Sequence, residues 1–373
     1  MILRIKRLFL SMVFLTSMMM AGKTQFLIVG TYTSGSSHGI YVYDFDSVNG
    51  KAKLVDSIAA SNPSFLAIAP NNKYIYAVNE NGKSKGGGKV SSFSFDAASG
   101  KLKAINQQPA MGDDPCYIVV DQTGKWVIVG NYSSGNVAVL PILEDHGLGE
   151  AVTVIQHTGK GANPKRQEAP HVHATVLSGD NKYLFVPDLG TDKVEIYNFD
   201  EKTGSLKARG TMKLPGASGP RHFEFHPSGN WAYLIQELSG MVTAFEYKAG
   251  KLTSKQSISL LPPEYEGEAT SADIHVSLDG RFLYATNRKS SNTITIFKID
   301  EQSGDLSLVN YQSTLGTTPR NFNFDPSGNY LLVANQDSDE IVIFKVDKNT
   351  GLLKDSGNRI TVSKPVNIKW VTK

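Results

Sequence analysis

The sequence has 373 residues, with 38 Lys and Arg against 35 Asp and Glu, for a formal net charge of +3. So mild a balance, with both signs mixed along the chain, excludes an electrostatic nucleic-acid binder or a polybasic membrane-surface protein. The single cysteine, Cys116, excludes an intrachain disulfide framework, so the fold must be held by its core.

The first segment in chain order stands apart from the rest. Arg4, Lys6 and Arg7 precede an apolar run from Leu8 to Ala21, and Ala21-Gly22 offers small residues for cleavage. This pattern predicts a signal peptide over 1–21 and an exported, periplasmic domain over 22–373 with no stable membrane insertion after cleavage; the run is short for a bilayer span. A retained N-terminal anchor is the alternative. No cysteine lies near the cut, so no lipid anchor is indicated.

Beyond this segment one pattern recurs. It consists of a proline or similar residue, a short alternating strand, a Pro-Ser-Gly or Asp-Gly turn, and a second apolar strand ending in Asn or Glu. Its leading residues are Pro63, Pro115, Pro170, Pro220, Ser271 and Pro319. Second strands read Tyr74-Ile75-Tyr76-Ala77-Val78 or Leu331-Leu332-Val333-Ala334, and third strands read Ile341-Val342-Ile343-Phe344. An Asp-x-x-x-Gly-x-Leu turn, as in Asp300 to Leu306, then leads to a fourth strand. Period-2 alternation, frequent turn residues and no helical periodicity predict an all-β chain of four-stranded units, the signature of propeller blades. Phe26 to Tyr32 looks like a second strand without a first, and Pro365 to Trp370 like a first strand without a second. Joined, they make a seventh blade, which closes the ring and removes exposed sheet edges. A linear solenoid is the alternative, but it would want distinct end caps.

In such a ring the first strands line the central channel. One residue after the leading position the repeats read Ser64, Cys116, His171, Arg221, Ala272, Arg320 and Val366. Seventeen residues after it they read Glu80, Tyr132, Pro187, Glu237, Arg288 and Gln336. Packing alone has no use for arginine and histidine on an innermost strand, because buried charge costs several kcal/mol unless paired. The candidates are therefore His171, His173, Arg221, Glu237 and Arg288, with Arg320 and Glu80 as further substrate-binding positions. His171 and His173, two apart on one expected strand, face the same way. A histidine is the natural general base near neutral pH, a carboxylate can poise it, and arginines can hold an anion or an oxyanion. The structural alternative is an inter-blade Arg221–Glu237 pair with satisfied core histidines.

Other features carry less. His171-Val172-His173 lacks further ligands at metal-site spacing, so no metal is expected. Gly86-Gly87-Gly88 lacks phosphate-loop context and reads as a connector. Lys165 and Arg166 sit in a loop that reads first as solvated and second as an anion contact. Cys116 reads as a small buried hydrophobe rather than a nucleophile.

Several motifs resemble the lactonase family of seven-bladed propellers. They are Gly30-Thr31-Tyr32-Thr33, Asn62-Pro63-Ser64-Phe65-Leu66, Tyr76-Ala77-Val78-Asn79-Glu80, Gly130-Asn131-Tyr132, Arg166-Gln167, Pro170-His171-Val172-His173, Pro187-Asp188-Leu189-Gly190, Gly219-Pro220-Arg221-His222 and Pro319-Arg320-Asn321-Phe322. The resemblance runs from about residue 25 to the C-terminus. It implies hydrolysis of a sugar lactone, of the 6-phosphogluconolactonase kind, without a cofactor. By motif it assigns His173 or His171, Arg221, Glu237 and Arg288 to the site. Fungal relatives that form or open a muconate-type lactone are a second implied activity, and an exported binding platform is the non-enzymatic alternative. An export signal sits oddly with a phosphorylated cytosolic substrate, so an unphosphorylated lactone is also expected. The oligomeric state is left open.

Overall fold

The structure, a computed structural model, describes residues 25–372. The signal-peptide reading falls on 1–21, outside the described residues. No helix among the described residues is long and apolar enough to cross a membrane.

Seven four-stranded antiparallel sheets form the ring. Blade one comprises Leu66–Ile68, Tyr74–Asn79, Lys89–Asp96 and Lys101–Pro109; blade two comprises Pro115–Val120, Trp126–Asn131, Asn136–Pro141 and Thr153–Gln156. Blade three comprises Val176–Leu177, Tyr183–Asp188, Lys193–Asp200 and Ser205–Lys213, and blade four Pro220–Phe225, Trp231–Gln236, Met241–Lys248 and Lys251–Ser259. Blade five comprises Ser271–Val276, Phe282–Asn287, Thr293–Ile299 and Leu306–Ser313, and blade six Pro319–Phe324, Tyr330–Asn335, Glu340–Val346 and Leu353–Thr361. Blade seven takes Gln25–Thr31, Gly39–Asp46 and Lys51–Ala59 from the start of the described chain and its innermost strand, Pro365–Thr372, from the end.

The core is seven apolar layers, each between two neighbouring blades. Period 2 explains how one strand serves two layers: Phe26 and Ile28 pack toward blade one, while Leu27 and Val29 pack toward blade six. Each such buried side chain stabilises the fold by roughly 1.5–3 kcal/mol. The Asp-x-x-x-Gly turns lock blades together as well as reversing the chain. Gly204 N–H donates to Asp200 O at 2.8 Å with φ +70°, and a Cβ there would lie 2.5 Å from the Trp126 ring of the preceding blade. Only glycine meets both demands.

Two local rules place the site. First, the residue just after each second strand donates its N–H to the carbonyl just before the first strand: Tyr32 to Lys364, Glu80 to Asn62, Tyr132 to Asp114, Leu189 to His171, Glu237 to Gly219, Arg288 to Thr270 and Gln336 to Thr318. Seven equivalent side chains thus crown one channel mouth. Second, the first strands open with a β-bulge. In blade four Pro220 pairs with Gln236 and Phe223 with Leu234, so Arg221 and His222 together oppose one residue; blade five repeats this at Ala272 and Asp273. The extra residue turns two successive side chains toward the channel.

Blade three corrects the expected register. The bridge Val172–Asp188 matches the pairs Pro220–Gln236 and Ser271–Asn287 of its neighbours. The leading position is therefore Val172, two residues beyond Pro170, and 171–175 is not a regular strand. The innermost ring reads His173 rather than His171, and the mouth ring reads Leu189 rather than Pro187.

Candidate active site

A cavity of about 240 Å³ opens at the mouth crowned by those seven positions. Cys116, His173, Arg221 and Arg320 line it from the inner ring, and Tyr32, Glu80, Tyr132, Glu237 and Arg288 from the mouth ring. Arg166 reaches it from the loop before blade three. Five of the expected site residues other than His171 meet here with Glu80: His173, Arg221, Glu237, Arg288 and Arg320.

Glu237 is the hub. Its Oε1 accepts from Arg166 Nη2 at 2.7 Å and its Oε2 from Arg221 Nη1 at 2.5 Å, and Oε2 forms an ion pair with Arg288 Nη2 at 2.9 Å. Burial alone would raise its carboxyl, but Arg288, then Arg221, with His173 and Arg166, hold it well below the usual carboxylate range. The arginines are themselves aimed by backbone. Arg221 Nε donates to Ala272 O of the next blade at 2.7 Å, and Arg288 Nε donates to Thr270 O at 3.0 Å. Burial pushes Arg288 down to about 10, with Glu237 opposing.

His173 meets Arg221 Nη1 through Nε2 at 2.5 Å, and its Nδ1 lies 3.8 Å from Cys116 Sγ. Burial, then Arg221 and His222, hold it well below its ordinary value, so it is neutral at pH 7. Since a guanidinium only donates, Nε2 is the acceptor of that bond and the neutral ring carries its proton on Nδ1. His171 does not line the cavity. Its ring stacks on Tyr132 at 4.5 Å, Nδ1 faces Tyr132 O at 3.0 Å, and Nε2 lies 3.5 Å from the exposed Glu168.

The opposite wall is built differently. Glu80 accepts from the Tyr32 hydroxyl at 2.8 Å and from the Ser64 hydroxyl. Arg320 donates to the Tyr32 hydroxyl at 2.6 Å and stands 3.9 Å from Glu80. The cavity thus holds four guanidiniums against two carboxylates, an excess suited to an anionic ligand or transition state. Burial raises the Cys116 thiol well above its usual range, so it is no thiolate. Among the described residues no group of three or more His, Cys, Asp or Glu is placed to hold a metal ion.

Sequence reasoning passed over Arg166 as a solvated loop residue and did not single out Tyr32. Arg166 has no counterpart in the other repeats, so position in the repeat could not find it; only the Arg166-Gln167 motif marked it. Gln167 anchors its loop by donating to Leu189 O and Asp192 Oδ1, both at 2.7 Å.

Comparison with known proteins agrees with this architecture. The family model for the lactonase seven-bladed β-propeller matches residues 26–370. The chain belongs to that family. Within it, the chain is 37% identical over 347 residues to the 6-phosphogluconolactonase of Bacillus subtilis, covering 92% of this chain and 97% of that protein. It is 38% identical over 354 residues to the 6-phosphogluconolactonase of Formosa agariphila, covering 93% and 99%. Among solved structures, the periplasmic gluconolactonase PpgL of Pseudomonas aeruginosa superposes with a TM-score of 0.90 at 39% identity, covering 94% of this chain and 99% of that one.

Proposed function

We propose that the protein hydrolyses a sugar lactone, a 1,5-lactone of an aldonic acid, in this cavity. The observation that carries the reading is the convergence of a neutral, buried His173 with Glu237 and its three guanidiniums on one water-accessible cavity. The names of the lactonase relatives support the substrate class.

In this reading Arg221 Nη1 turns from His173 to the substrate, and the freed Nε2 lone pair takes a proton from water as the water oxygen bonds to the lactone carbonyl carbon. Arg221, which touches His173, and Arg288 offer N–H donors to the oxyanion that develops, an arrangement worth most where water is excluded. Collapse breaks the bond to the ring oxygen, which takes the proton back from His173 and leaves as a hydroxyl. The product is a hydroxy acid that ionises to its carboxylate. Glu237 keeps the arginines in place and offsets the charge on His173. Glu80, Tyr32 and Arg320 hold the polyol or its anionic substituent.

The Arg4-to-Ala21 pattern and the periplasmic gluconolactonase neighbour support an exported enzyme. Export favours an unphosphorylated lactone; the surplus of guanidiniums accommodates a phosphorylated one. The test is acid release at constant pH with D-glucono-1,5-lactone and its 6-phosphate, beside His173→Ala. A rate that scales with enzyme and falls at least a hundredfold in the variant is expected, and its preferred substrate settles phosphorylation. No enzyme-dependent rate on either lactone overturns the reading.

A further inference from the structure

Beneath the cavity the channel carries a second set of buried titratable groups that the proposed reaction does not use. The bulges place His222 and Asp273 one layer deeper than Arg221, where other blades supply Phe65, Tyr117, Asn321 and Asn367. Packing in this layer is thus met elsewhere without a charge. His222 Nδ1 lies 2.7 Å from Asp273 Oδ1, while Asp273 Oδ2 takes Phe322 N–H at 3.1 Å, Asn321 Nδ2 at 2.5 Å and His275 Nε2 at 3.2 Å. The carboxylate can only accept, so the neutral His222 carries its proton on Nδ1 and leaves its lone pair on Nε2. Burial, opposed by the bond to Asp273, brings His222 down to about 4, which keeps it neutral.

The His222 ring packs edge-on against His173, with centroids 5.4 Å apart and 66° between planes, and Tyr132 holds His173 in a second edge contact at 5.4 Å. His222 and His173 also line one small hollow of about 10 Å³ under the cavity, with Arg221 and Arg320. The proposed reaction puts a proton on His173 beside Arg221, which is electrostatically costly.

We propose that His222, oriented by Asp273, is a positioning residue for His173 that fixes the orientation of its ring for the reaction. The inference rests on the lactonase reading for its catalytic meaning and on geometry for the pairing. The charged and titratable groups around the two rings are Arg221, Arg320, Glu237, Cys116 and Tyr132 about His173, and Asp273, His275, Arg221 and Tyr117 about His222.

The test is imidazole nitrogen NMR together with lactonase kinetics on the full chain, using Asp273→Asn and His222→Phe. In the unsubstituted protein His222 is expected with its proton on Nδ1. In Asp273→Asn the amide can donate to Nδ1 and move that proton to Nε2; the His173 ring signals and titration then shift, and kcat falls about tenfold with KM within about twofold. His222→Phe keeps an aromatic ring against His173 and is expected to lower kcat similarly, with the double variant no worse than the worse single one. It also guards against failure of Asp273→Asn to fold. Folded variants with unchanged His173 titration and unchanged kcat overturn the proposal. If the unsubstituted protein hydrolyses neither lactone, the lactonase reading fails, while the His222 tautomer and the His173 titration still decide the pairing.

Discussion

The two walls of the cavity are set by the same backbone rule and hold their carboxylates in opposite ways. Glu80 and Glu237 occupy equivalent positions, each following a second strand and each donating its N–H to the carbonyl before the first strand. Glu237 is closed in by three guanidiniums, whereas Glu80 accepts from two hydroxyls with Arg320 at 3.9 Å. A carboxylate tied to hydroxyls can exchange them for substrate hydroxyls at little net cost, since each neutral hydrogen bond is worth only about 0.5–1.5 kcal/mol. One tied to buried arginines cannot, because removing a partner leaves uncompensated charge. The contrast separates a fixed electrostatic wall from an adaptable binding wall.

The sharpest way to break this comparison is Glu237→Gln. It strips the countercharge from Arg221 and Arg288 and leaves two buried guanidiniums uncompensated beside each other. Loss of 10²–10³-fold or more in kcat is expected, with a lower Tm by calorimetry; a kcat within tenfold of the unsubstituted protein would deny the wall its role. Next in size, His173→Ala should cost roughly 10²-fold in kcat, the low end of the range for a general base. His171→Ala, away from the cavity against Tyr132 and Glu168, should stay within about threefold. Equal losses in the two variants, measured by acid release, would erase the register assignment made from Val172.

That register shows what the sequence made legible and what it hid. Turn residues and period-2 strands located every blade, and the orphan strands at Phe26 and Pro365 located the closure, because each blade must bury the same two faces. Reading across equivalent positions picked out Arg221, Glu237 and Arg288 for the same reason. It failed at blade three, where Pro170 resembles the leading prolines of other blades but precedes the true bridge residue Val172 by two. It also missed His222 and Asp273. A bulge sends two adjacent residues inward, and strict alternation assigns one of them to the blade interior. Arg166 lay outside any repeat-based logic, since its place depends on a loop pinned by Gln167.

Glu80→Gln tests the adaptable wall. The amide keeps the shape and one acceptor oxygen, so KM for the lactone should rise about tenfold with kcat within threefold. A kcat loss as large as that of Glu237→Gln would make the walls equivalent.

The smallest effect concerns stability, in the charged sector below the cavity. His275, with Asp273 at 3.2 Å and Glu224 at 3.6 Å, is raised to about 10: burial lowers it, but Asp273 and then Glu224 outweigh burial. A folded value above the unfolded one, ~6.5, means that the imidazolium contributes stability fully below about pH 6.5 and loses it as pH rises toward 10. Lys369, pushed down by burial beside the same carboxylates, works in the other direction. The raw slope of Tm with pH therefore mixes the two groups, and the difference between the unsubstituted protein and His275→Gln isolates one. That difference should be largest near pH 6 and shrink steadily to pH 10. On the opposite wall the equivalent layer holds Ala67 and Val119 and has nothing to titrate, so a His275→Gln penalty that stays constant with pH would mean that His275 is packed as neutral bulk, like them.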